Sequence, residues 1–246
     1  MMCDLLIRSY WRDFPWLDLC VQAIEAHCVG FRDLIVVIPE KSVPWLRSYG
    51  HIGSIARVVT CPDYPDDYLG QQVSKLHADQ LTDAELICHV DSDCIFSRRT
   101  CPEDLAPGGR PRIFTRPQAE LARTSPWRQP TAEFLGWMPT HDFMQLPPFT
   151  YPAWLYPRVR EWSVRRSGVD LTQWVLSRPP RGFSEFNVLG AFAYEQYRDD
   201  FVWVRAADIG AEEATCRWYW SRDGVDEQTR REVMENVGRS SERHHG

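Results

Sequence analysis

Short apolar runs alternate with amphipathic stretches through the first hundred residues. Residues 4–9 (DLLIRS) form an apolar run of the kind that a buried strand presents. Residues 16–28 set Leu17, Cys20, Val21, Ile24 and Cys28 at helical spacing, so that one stripe faces a core. Three further strands are predicted: 34–38 (LIVVI), stopped by Pro39; 56–60 (ARVVT), stopped by Pro62; and 86–90 (LICHV). Between them fall a helix over 42–49, with Pro44 in its first turn, and another over 68–80 that keeps Val73 and Leu76 on one side. Strands alternating with helices in this way predict a parallel sheet covered on its faces by helices. Ligands of such sheets bind outside the carboxyl ends of the strands.

The second half is less regular. Residues 112–115 (RIFT) and 201–204 (FVWV) read as strands, and 124–152, dense in Pro, Trp, Phe and Met, reads as ordered loops and short strands. Helices are predicted over 151–168, ended by Gly168, over 170–177, and over 183–197, where Phe186, Leu189, Ala193 and Tyr197 form a stripe. A polar helix starts near Asp226 and frays into a tail at 238–246. Neither a repeat nor a linker divides the chain. The expectation is therefore a single unit over 1–246, with the motif-bearing half at 1–100 and a second half at 101–237.

Composition changes this picture in three ways. A net charge of −6 argues against a general nucleic-acid surface, although Arg158, Arg160, Arg165, Arg166, Arg178 and Arg181 can form either a local basic track or a solvated face. No apolar stretch approaches membrane-spanning length, and Asp4 and Arg8 interrupt the only apolar run at the N-terminus, so no stable membrane insertion is expected. The eight cysteines show no C-x-x-C pair and no zinc spacing, and Cys20, Cys28 and Cys88 sit inside apolar runs. Reduced thiols and a cytoplasmic location follow as expectations.

The chemistry centres on Asp91-Ser92-Asp93. A D-x-D triplet is common by chance, but this one follows a five-residue apolar strand and precedes the apolar pair Ile95-Phe96. Two carboxylates at i and i+2 beyond a buried strand converge on one point of the crevice. There they suit Mg²⁺ or Mn²⁺, which take oxygen ligands and bridge carboxylate to diphosphate. The alternative is a pair of loop aspartates that cap the next element.

The stretch YLGQQVSKLHADQLTDAELICHVDSDCIF resembles the donor-binding half of GT-A glycosyltransferases. With FSEFNVLG and WYWSRDGVDEQ, the chain from about 4 to 237 resembles a group of uncharacterised glycosyltransferase-like proteins. The resemblance implies a GT-A (Rossmann-like) α/β fold with a mixed, mostly parallel sheet. It also implies transfer of a sugar from a nucleotide-sugar donor, UDP-sugars favoured, to a hydroxyl acceptor. That acceptor is a glycan, a small molecule or a modified nucleobase of phage DNA. In that frame Asp93 binds the metal, Asp91 binds metal or donor ribose beside Ser92, and Gln71, Gln72 and Lys75 face the donor, Lys75 meeting phosphate or a motif carboxylate. Arg8, Ser9 and Tyr10, after the first strand, fit nucleotide contacts. Glu185 is the candidate catalytic acid or base, set in the first turn of a helix that Ser184 caps; the alternative is a glutamate that only satisfies the helix dipole. Asn187 is placed at sugar hydroxyls, and Trp218, Trp220 and Ser221 close over the donor or pack on the sheet. No position supplies a clear third metal ligand; His141-Asp142 is a weak candidate.

Two other readings compete. Haloacid-dehalogenase-type phosphohydrolases also carry a strand followed by D-x-D, and Asp199-Asp200 resembles their later acidic pair. Their motif follows the first strand, however, whereas three strand–helix units precede it here, and Cys94 stands where Thr or Val is usual. A binding module with lost catalysis is the other, although both aspartates and Glu185 are present. A dehydrogenase would need a G-x-G-x-x-G after the first strand, which is missing.

Overall fold

The computed structural model of the protein describes residues 1–210, 212–219 and 224–242. The first half runs β1 (Cys3–Arg8), α1 (Phe14–His27), β2 (Leu34–Pro39), α2 (Val43–Leu46), α3 (Gly50–Ile55), β3 (Arg57–Cys61), α4 (Asp67–Leu76) and β4 (Leu86–Val90). There follow β5 (Cys94–Phe96), α5 (Pro102–Leu105), β6 (Arg112–Pro117), α6 (Arg128–Leu135), β7 (His141–Asp142) and β8 (Phe149–Pro152). The chain continues through α7 (Leu155–Ser167), α8 (Leu171–Leu176), α9 (Glu185–Gln196), β9 (Val202–Arg205), β10 (Cys216–Trp218) and α10 (Glu227–Glu242).

The main sheet has the order β3-β2-β1-β4-β8, parallel except for the antiparallel edge strand β8. The apolar runs of β1, β2 and β4 are buried throughout because both faces are covered. Alternation divides their side chains between two cores. Leu6, Ile35, Val37 and Ile87 face α4 and α6 to α9. Leu5, Ile7, Val36, Ile38, Cys88 and Val90 face α1 and α3. Helices thus lie on both faces, and the mostly parallel α/β sheet expected from the sequence is present. Two small sheets, β10-β5 and β7-β6-β9, extend the second half.

Several boundaries differ from the sequence reading. The helix predicted over 42–49 is broken by a 3₁₀ turn at Arg47–Tyr49, because these residues bury almost nothing: Ile52 of α3 is the buried apolar residue of the two pieces. Tyr151 and Pro152, assigned to a helix, belong to β8, where Tyr151 pairs with Ile87 and is wholly buried. The segment 124–152 contains α6, whose Thr131, Phe134 and Leu135 are buried at helical spacing. The tail expected to fray from 238 is helical to Glu242. All eight cysteines are free thiols. Among the described residues, no helix is long and apolar enough to cross a membrane.

Candidate active site

β1 and β4 are parallel neighbours with Ile7 opposite Val90, so Arg8-Ser9 and Asp91-Ser92 leave the sheet side by side. Successive strands run from β1 towards β3 on one side, while β4 lies on the other. The crevice above β1 and β4 is therefore the switch point at which such sheets hold ligands. Ser92 Oγ donates to Ser9 Oγ at 2.8 Å, and the Cys94 amide closes a turn on the Asp91 carbonyl at 2.9 Å. From the far side, β10 pairs antiparallel with β5, and the Tyr219 amide donates to the Asp93 carbonyl at 2.8 Å. The D-x-D loop is thus clamped between the first strand and the last.

α4 brings the third wall. Asp66 caps it by accepting from the Leu69 amide at 2.9 Å, and Leu69, Val73 and Leu76 anchor it in the core. That orientation turns Gln71, Gln72 and Lys75 towards the crevice. Lys75 is buried, with Nζ 2.6 Å from Asp91 Oδ1, 2.8 Å from Glu185 Oε1 and 4.7 Å from the centre of the Phe186 ring. Burial disfavours its charge, but the two carboxylates outweigh burial and hold the ammonium above the ordinary lysine range. Lys75 thus bridges a motif carboxylate and Glu185.

Glu185 opens α9. Ser184 caps that helix, accepting from the Asn187 amide at 3.4 Å, and the Glu185 amide donates to Gln72 Oε1 at 2.8 Å. Burial pushes the Glu185 carboxyl up, and Asp91 adds to this while Lys75 opposes it. The result is a chain, Asp91–Lys75–Glu185, that couples the D-x-D loop to the start of a helix more than ninety residues later.

These residues line a cleft of about 520 Å³, together with Arg8, Asp13, Tyr68, Trp127, Met144, Arg181 and Trp218. An adjoining arm is lined by Arg8, Tyr10, Trp11, Arg12, Lys41, Asp67 and Arg181. Arg8 is buried, donates from Nη1 to the Ser9 carbonyl, and leaves Nε and Nη2 without a hydrogen-bond partner; Asp67 Oδ1 stands 3.7 Å from Nη2.

Some expected residues are used differently. Ser9 Oγ accepts from Ser92 Oγ, which ties the first strand to the D-x-D loop. Asn187 was placed at sugar hydroxyls; instead its Oδ1 accepts from the Phe143 amide at 2.9 Å and its Nδ2 donates to Ser184 Oγ, so it fixes the chain around itself. Gln72 reaches the cleft, but its carbonyl is committed to Glu185. His141 and Asp142 lie in β7. His141 packs on Tyr194 at 4.7 Å, and Asp142 Oδ1 accepts from the Met144 amide and Gln145 Nε2, so neither approaches the D-x-D carboxylates. Trp220 and Ser221 lie outside the described residues, whereas Trp218 is on the cleft wall. Four of the six arginines have described surroundings. Arg158 stacks on Trp154, Arg160 is paired with Asp79, Arg178 with Glu133, and Arg181 lies in the cleft.

Sequence reasoning missed Asp13. Burial, then Asp93 and Asp91, push its carboxyl up to about 7. Its signal was position: it lies five residues beyond the first strand, where ligands of such sheets collect. A crevice holding Asp13, Asp91 and Asp93 presents oxygen donors with mutual repulsion, which suits a hard divalent cation. The Cys94 thiol lies within 4.8 Å of the two motif carboxylates. Burial and those carboxylates keep it protonated, so oxygen remains the fitting donor.

No protein-family model and no curated protein matches the chain. Among solved structures it is similar to the glycosyltransferase GlyE of Streptococcus pneumoniae TIGR4 in its apo form, with a TM-score of 0.51 and 9% identity over 96% of this chain. The chain spans 60% of the length of GlyE. It is also similar to glucosyl-3-phosphoglycerate synthase from Mycobacterium tuberculosis, solved with Mn²⁺, UDP and glucosyl-3-phosphoglycerate. That likeness has a TM-score of 0.47 and 13% identity, covering 97% of this chain and 79% of the other. The mostly parallel α/β fold is shared with GlyE; at such identity, the likeness concerns the fold alone.

Proposed function

We propose that the protein is a metal-dependent glycosyltransferase that moves a sugar from a nucleotide diphosphate sugar, UDP-sugars favoured, to a hydroxyl group. The observation that carries this reading is the Asp91–Lys75–Glu185 chain at the switch point of a GT-A-type sheet. A donor would lie across the carboxyl ends of β1 and β4, in the half formed by residues 1–100, and the acceptor would enter over residues 101–237. Asp91 and Asp93 would hold Mn²⁺ or Mg²⁺, which supplies positive charge to the leaving diphosphate. Lys75 holds Asp91 in place through its 2.6 Å contact. It also holds the Glu185 carboxylate against burial, so that an acceptor hydroxyl within reach meets a base rather than a neutral acid. Gln72, by taking the Glu185 amide, fixes the angle at which that carboxylate enters the cleft. Tyr68, Trp127 and Trp218 offer ring faces against which a sugar can lie.

The test is release of nucleotide from a panel of UDP-, GDP-, CMP- and dTDP-sugars with Mn²⁺, Mg²⁺ or EDTA. Metal-dependent turnover of one donor, abolished in Asp93→Ala and reduced about 10²–10⁴-fold in Glu185→Gln, is expected. A protein that neither binds nor turns over any donor with either metal overturns the reading. A donor that binds but is never turned over or transferred would favour the binding-module alternative.

A further inference from the structure

Among the described residues, the cations that line the cleft differ in what they are engaged with. Lys75 is shared by Asp91 and Glu185, Arg8 and Lys41 face Asp67, and Arg12 lies over the Trp11 ring at 4.9 Å. Arg181 lines both arms of the cleft, and among the described residues it makes no hydrogen bond and no ion pair. Its backbone is unusual as well. The Gly182 amide donates to the Pro179 carbonyl at 2.8 Å, closing a turn whose third residue, Arg181, has φ of +61°. Glycine normally takes that place, because a side chain is strained there. No other non-glycine residue among those described has a positive φ. The neighbouring Gly182 cannot trade places with it: a Cβ there would come within 2.8 Å of the Pro179 carbonyl oxygen. Strain held at the mouth of a cleft, three residues before the helix that presents Glu185, points to use by a ligand.

We propose that Arg181 is the anion-clasping residue of the cleft, a specificity determinant that grips a phosphate or carboxylate carried by one of the two substrates. The inference deepens the glycosyltransferase reading and rests on it for the choice of probes. Two sources share the chemistry: the diphosphate of the donor, and an acid group on the acceptor.

The experiment compares wild type with Arg181→Ala, Arg181→Gly and Arg181→Lys by calorimetric titration with UDP, GDP, the parent nucleosides and inorganic pyrophosphate, each with Mn²⁺. If the diphosphate is gripped, Ala and Gly weaken diphosphate binding about 10- to 100-fold. Nucleoside binding is then unchanged and Lys recovers part of the loss. If the acceptor is gripped, nucleotide affinity is unchanged. In that case the KM for sugar phosphates or hexuronates rises by a similar factor, and neutral acceptors are unaffected. Arg181→Gly also separates function from structure: its melting temperature should equal or exceed that of wild type while anion affinity falls. Unchanged affinities and KM values in both Ala and Gly overturn the proposal, as does a melting loss in Gly without a selective loss of anion binding. A wild type that binds pyrophosphate through Arg181 but no nucleotide would keep this inference and remove the transferase reading. A wild type that binds neither removes both.

Discussion

At the residue scale, the buried ammonium of Lys75 decides the behaviour of the site. Removing it in Lys75→Met leaves Glu185 buried without compensation and Asp91 without its partner. A loss of about 3–5 kcal/mol of stability is expected, since one half of a buried ion pair is left behind. Glu185→Gln leaves Lys75 bonded to Asp91 at 2.6 Å, so it should cost well under half of that. Denaturant unfolding of both variants checks the order, and equal losses would show that the chain is not coupled through Lys75. A second buried group gives a pH dependence. His89 is fully buried beside Tyr156, with Nε2 2.6 Å from its hydroxyl and Nδ1 unpartnered. Burial, with a smaller effect of Lys75, pushes its imidazole down to about 3. Above about 6.5 both folded and unfolded forms are neutral and nothing is lost. Below that, the unfolded chain takes up a proton that the native state refuses, so stability falls by about 1.4 kcal/mol per pH unit until native His89 titrates. Wild type should therefore lose more stability than His89→Gln between pH 6.5 and 4.5, as measured by urea unfolding; parallel losses would refute the assignment.

At the element scale, α9 matters because one helix does two jobs. Its N-terminus delivers Glu185, and its body packs through Phe186, Leu189 and Phe192 into the core below the sheet. Gly190 permits the close approach: a Cβ there would stand 2.5 Å from Phe143 Cγ, and Phe143 is itself buried and bonded through its amide to Asn187. Alanine ordinarily stabilises a helix relative to glycine by about 1 kcal/mol. Here overpacking should win, and Gly190→Ala should lower stability by about 1–3 kcal/mol. Loss of the Ser184 cap in Ser184→Ala should cost about 1 kcal/mol, with a larger relative fall in turnover than in melting temperature because the first turn carries Glu185. A rise in melting temperature for Gly190→Ala would show that Phe143 can give way.

At the scale of the whole molecule, the cleft draws on both halves of the chain: β1, α4 and the D-x-D loop from the first, Trp127, Arg181, α9 and β10 from the second. A ligand that fills it should therefore stabilise the entire fold. Saturating Mn²⁺ and donor nucleotide at about a hundred times Kd contribute about 2.7 kcal/mol. For a chain of this size that corresponds to a rise of roughly 5–10 °C. EDTA should abolish the rise, as should Asp93→Ala; a rise that survives both would place the nucleotide elsewhere.

Strand positions, the parallel sheet and the D-x-D loop were legible in the sequence because each rests on local periodicity: a buried strand must be apolar along its own length, whatever surrounds it. The Ser184 cap and the placing of Glu185 in a first turn were legible for the same reason. Three things depended on tertiary structure. Tyr151 entered a strand because β4 offered it an edge to pair with, which outweighed a helical pattern downstream. Asn187 and Ser9, whose types suit ligand contacts, found partners in the Phe143 amide and in Ser92, since buried polar groups take the nearest partner the fold supplies. Asp13 acquired its raised carboxyl, and Lys75 its two partners, only when segments far apart in sequence met above β1 and β4. Periodicity reports which side of an element is buried; what lies across from it is set by the packing of elements that have no sequence proximity, and that is where the chemistry of this cleft was decided.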